Sequence, residues 1–93
     1  MYEDVLRLIK EKVRLKEYVL TLHAEDEIID DGLTHFDVEN AVLTGKIVAR
    51  QKDRNTNEWK YVIEGKTHGS EIPMVVSKFS FSKKLVIITV YVK

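Results

Sequence analysis

The hydrophobic period changes at Gly45, and that change limits the fold more than any other feature of the chain. Before it, apolar residues recur at helical spacing; after it, they alternate as strands do. Val5, Leu6, Ile9 and Val13 predict an amphipathic helix from Met1 to about Lys16, with Leu8 and Leu15 broadening its apolar face. Residues 18–20 read as a short extended lead-in. Thr21 then offers an N-cap, because its hydroxyl can accept from the free N–H groups of a first helical turn. His23 falls in that turn, Ala24 and Ile28 share a face, and Gly32 supplies a stop. Thr34 caps a second helix with Asp37 at the capping-box position, and Leu33 can staple onto Val38. Phe36, Val38, Ala41, Val42 and Leu43 give this helix its apolar stripe.

Beyond Gly45 four strands are expected, over residues 46–53, 58–64, 71–81 and 85–92. Their connections are short, which favours antiparallel neighbours. The reading is one α+β domain over residues 1–93, with the N-terminal helices packed on one face of a four-stranded antiparallel sheet. The last strand is apolar on both sides. Its row Val86, Ile88, Val90 and Val92 is assigned to the helices, and its row Leu85, Ile87, Thr89 and Tyr91 to the opposite face.

The chain has 93 residues, 44% of them apolar, enough for one core. It has no cysteine, which excludes disulfides and thiolate chemistry. Residues 1–16 are too charged for a signal peptide, and the longest apolar run, Leu85 to Val92, is too short to span a bilayer. A cytoplasmic protein with no membrane partner is the expectation.

The zero net charge conceals a segregation. Residues 21–45 carry seven acids (Glu25, Asp26, Glu27, Asp30, Asp31, Asp37, Glu39) and no lysine or arginine, whereas residues 46–93 carry ten basic against four acidic side chains. A polyanion-facing half and an acidic half fit this pattern, and so does mutual neutralisation within the fold.

Two constellations could carry chemistry. His23 and Glu27 form an i, i+4 pair, in which a carboxylate can orient an imidazole for acid–base work; a surface pair without function satisfies the same spacing. Tyr61, Thr89 and Tyr91 with Arg50, Lys60 and Lys78 could form a basic, hydroxyl-bearing sheet face. RNA cleavage without a metal needs a base, an acid and cations for the phosphorane charge, and these residue types supply them. The same residues also serve as ordinary strand formers and solubilising charges. His23, His35 and His68 lack a compact ligand spacing, so no metal and no cofactor are expected. The loop from Gly65 to Gly69 lacks the phosphate-loop spacing.

The motifs Tyr18-x-x-Thr21-x-His23-Ala24, Asp31-Gly-Leu-Thr-x-x-Asp37-Val38, Ala41-Val-Leu-x-Gly45 and Val86-Ile-Ile-Thr-Val-Tyr91 together resemble the prokaryotic domain-of-unknown-function family 4258. The resemblance covers most of residues 18–92. That family is similar to RelE- and MqsR-like toxins, small α+β ribonucleases of toxin–antitoxin pairs. The resemblance therefore implies a RelE-like fold and a metal-independent RNase held in check by an antitoxin-like protein. His23 matches the family's helix-start histidine, and Thr89 and Tyr91 match its last strand. Where family members typically carry arginines, this chain has Glu27 and Asp31.

Two functions from different classes follow as expectations. One is a toxin-like endoribonuclease with His23, Thr89 and Tyr91 as catalytic residues and Arg50, Lys60, Tyr61 and Lys78 binding substrate. The other is a non-catalytic module binding RNA or a protein through the basic sheet or a strand edge; Glu27 and Asp31 favour it. A homodimer through a strand edge fits either.

Overall fold

Helix boundaries follow the caps. The computed structural model describes residues 2–66 and 71–93, which form three helices and five strands. Helix α1 (Glu3–Arg14) buries Ile9 and Val13. Leu8 and Leu15 were expected to widen its apolar face but are about half exposed; Leu8 precedes Ile9 by one residue, about 100° around the helix. The helix ends in paired bonds, Lys16 N–H to Val13 O and Glu17 N–H to Lys12 O, with Lys16 in the left-handed position at φ 61°.

Helix α2 (Leu22–Asp30) starts at Thr21, whose Oγ accepts from Ala24 N–H at 3.0 Å. It ends at Gly32, φ 68°, with the same paired bonding: Gly32 N–H to Ile29 O and Leu33 N–H to Ile28 O. Helix α3 (His35–Thr44) carries the full capping box between Thr34 and Asp37. Its buried stripe is Val38, Ala41 and Val42. Phe36, assigned to that stripe from sequence, is 74% exposed, because it lies two residues and about 200° from Val38.

The sheet corrects the expectation of four antiparallel strands. The lead-in is a strand in its own right, β1 (Tyr18–Leu20), lying parallel to β5 (Leu85–Val92) with Tyr18 beside Leu85 and Leu20 beside Ile87. Strands β2 (Lys46–Lys52), β3 (Trp59–Glu64) and β4 (Pro73–Phe79) pair antiparallel, giving a five-stranded mixed sheet of order β1-β5-β4-β3-β2. The sequence missed β1 because three residues are too few to show a period.

A bulge in β5 overturns the assignment of its rows. Thr89 faces Val76 while Ile87 faces Ser77, so Ile88 is an extra residue and the alternation changes phase there. Leu85, Ile87 and Val90 join the core with Ile9, Val13, Ala24, Ile28, Val38, Val42, Ile63 and Val75. Before the bulge the core row is Leu85 and Ile87; after it, Val90. Thr89 and Tyr91 remain on the face away from the helices, as expected. The bulge leaves no mark in the sequence because Val86, Ile87 and Ile88 are all apolar.

Helix α3 sits close to the sheet through small residues. A Cβ at Gly65 would lie 2.6 Å from Ala41 Cβ, and one at Gly45 would lie 2.5 Å from Ala41 O and 2.6 Å from Glu64 O. Glycine is required at both positions for close approach rather than for backbone angle. Among the described residues no helix is long and apolar enough to cross a membrane.

Candidate functional site

The end of β1 and the start of α2 determine where His23 goes. Thr21 continues the β1–β5 ladder for one step, its N–H donating to Ile87 O at 3.0 Å, and its hydroxyl then donates to Ile88 O at 2.9 Å. The same hydroxyl caps α2. The helix therefore starts fixed against β5 and runs over the edge that β1 leaves uncovered. Glu27, one turn after His23, fills that gap: its Oε1 accepts the backbone N–H of Val90 at 2.9 Å. His23 Nε2 lies 3.4 Å from the same oxygen.

The arrangement is a backbone amide, a carboxylate and an imidazole in series. Glu27 is about one-quarter exposed, while the His23 side chain is 67% exposed. The ring accordingly has the carboxylate behind it and is open in front, an arrangement compatible with proton exchange with a ligand. Val90, whose amide anchors the series, stands between Thr89 and Tyr91 in the chain. Sequence reasoning paired His23 with Glu27 but missed the Val90 contact, because nothing local connects residues 63 positions apart.

The sheet separates the remaining predicted residues. Cross-strand partners share a face, and the register aligns Lys60 with Lys78, Val62 with Val76 and Thr89, and Met74 with Tyr91. Lys60, Lys78, Thr89 and Tyr91 therefore lie on the face away from the helices. Arg50 pairs with Tyr61, which packs against the helical core, so both lie on the other face. The period of β3 already carried this signal: Lys60 and Tyr61 are neighbours in sequence and must point to opposite sides.

Two of the three predicted cations are also engaged. Lys78 Nζ donates to Glu58 Oε1 at 2.9 Å, with both side chains about one-quarter exposed. The Arg50 guanidinium lies 3.9 Å over the Trp59 ring and 5.8 Å from that of Tyr2, in cation–π contact. Lys93 pairs with Glu64 at 3.4 Å. Among the described residues no group of three His, Asp or Glu side chains gathers as metal ligands; residues 67–70, with His68 and most of the glycine loop, lie outside them.

A second polar cluster was not foreseen. Glu39 of α3 takes hydrogen bonds from Lys16 Nζ and Tyr18 OH, tying α3 to β1 and to the turn after α1. Burial, reinforced by the Glu39 carboxylate, pushes the Tyr18 phenol well above its ordinary range. Burial acts to raise Glu39 as well, but the hydrogen bonds from Lys16 and Tyr18 outweigh it and hold this carboxyl below the usual glutamate range. Beside the cluster is a cleft of about 280 Å³ lined by Lys16, Tyr18, Leu20, Glu25 and His35.

A family model described as a domain of unknown function (DUF4258) matches residues 20–92, from β1 to the end of β5. No curated protein and no solved structure matches the chain.

Proposed function

The chain belongs to the DUF4258 family, and on that premise we propose that it is a toxin-like, metal-independent endoribonuclease whose reacting group is His23. The observation that carries the reading is the series Val90 amide, Glu27, His23, which presents an accessible imidazole at the β5 edge. In such a reaction a base takes the proton of a ribose 2′-hydroxyl, and the oxygen attacks the adjacent phosphorus. The P–O5′ bond then breaks, and an acid returns a proton to the leaving oxygen. His23 serves as the base or the acid. Thr89, Tyr91, Lys60 and Lys78, on the sheet face away from the helices, take no part in this step. RelE-like architecture, RNA as substrate, an antitoxin-like protein as inhibitor and a cytoplasmic location belong to the same proposal.

Expression of wild type should slow growth and fragment total RNA, and His23→Ala should restore both. Normal growth with intact RNA in the presence of folded wild type rejects the nuclease.

One observation favours the non-catalytic alternative. Lys78 is occupied by Glu58, Arg50 by Trp59, and Glu27 stands where a cation is typical, so little free positive charge faces His23. A binding module predicts RNA or protein retention without turnover.

A further inference from the structure

A group of unpaired lysines lies elsewhere. The end of α1, strand β1 and the β4–β5 turn enclose a groove of about 380 Å³ lined by Lys12, Lys16, Lys83 and Lys84, with Ser82 and one acid, Glu17. Lys16 is neutralised by Glu39. Among the described residues Lys12, Lys83 and Lys84 have no carboxylate partner, as is also true of Lys10, Lys46, Lys52, Lys60 and Lys66, but these three share one groove. Lys12 has a structural reason for its place, since a cation in the last turn of α1 complements the helix dipole. That reason does not extend to Lys83 and Lys84, which the turn delivers to the same hollow from a different element. Like charges brought together from two elements repel, and a bound anion relieves that repulsion.

We propose that this groove binds the phosphodiester backbone of single-stranded RNA. A phosphate chain carries one charge per nucleotide and can meet several lysines in succession, as a lone carboxylate cannot. The groove opens at the start of β5, while the His23 series meets the same strand at Val90. Six residues of β structure separate Lys84 from Val90, about 20 Å. A strand laid along the β1–β5 edge therefore touches the lysines at one end and His23 at the other. The inference rests on RNA as the ligand of the proposed function, but not on cleavage.

The test uses full-length His23→Ala protein, so that turnover does not interfere, and a fluorescein-labelled RNA oligonucleotide titrated by anisotropy over a range of salt. Lys83→Gln/Lys84→Gln should weaken binding roughly tenfold or more at low salt and reduce the slope of log K against log salt by about 1.4. Lys12→Gln, on a separate element, should reduce it by about 0.7. Lys46→Gln/Lys52→Gln removes the same charge from β2 and should leave the slope unchanged. Equal losses in both double variants would show diffuse attraction and overturn the groove, as would failure of the parent protein to retain RNA. If RNA is retained through the groove yet wild type does not cleave it, the groove stands and the nuclease falls.

Discussion

Glu27 accepts the backbone N–H of Val90 at 2.9 Å, so one side chain of α2 completes the sheet edge where β1 stops. The carboxylate that orients His23 is thus also part of the scaffold. Glu27→Ala leaves that amide unpaired and should cost about 1.5–3 kcal/mol. Glu27→Gln retains an oxygen for the amide and should lose clearly less. Urea denaturation of both variants measures the difference, and equal losses would refute the shared role.

Thr21 caps α2 and bonds Ile88 O through a single hydroxyl. Thr21→Val keeps the volume and removes both contacts. The expected loss is about 2 kcal/mol, above that for a cap alone. A thermal melt checks it, and Thr21→Ser should recover most of the stability.

The two kinds of glycine should respond differently to the same change. Gly32 has a positive φ and open space around it, so Gly32→Ala meets only backbone strain of about 1–2 kcal/mol. Gly65→Ala drives a methyl into Ala41 and should cost more, about 3 kcal/mol. The order of the two midpoints in denaturant decides the matter.

Acid should release the tie between α3 and β1. Glu39 is held below the ordinary glutamate value of 4.5 by Lys16 and Tyr18, with His35 also facing it. A carboxyl lowered in the fold contributes stability above its unfolded value, and the contribution is lost as pH falls through the lowered one. Wild type should therefore lose stability below about pH 4.5 more steeply than Glu39→Gln. Parallel curves of stability against pH would reject this account.

Local signals were legible in the sequence, and relations between distant segments were not. Thr21, Gly32, Thr34 and Asp37 announced α2 and α3 because a cap is written within four residues of the helix it serves. Strand β1 depends on a partner more than sixty residues away, and the bulge at Ile88 is hidden in a wholly apolar run. For the site, Lys60 and Tyr61 could have been separated by parity alone. The Val90 amide could not have been found, because every backbone has such amides and only the fold shows which one is left free.

The parallel β1–β5 pairing has a consequence for synthesis. Tyr18, Val19 and Leu20 leave the ribosome early, yet their ladder partners are Leu85, Val86 and Ile87. Until those are translated, the seat of α2 on β5 does not exist, and His23 has no anchored carboxylate behind it. A nascent chain of this kind carries the imidazole long before β5 emerges to anchor the carboxylate behind it.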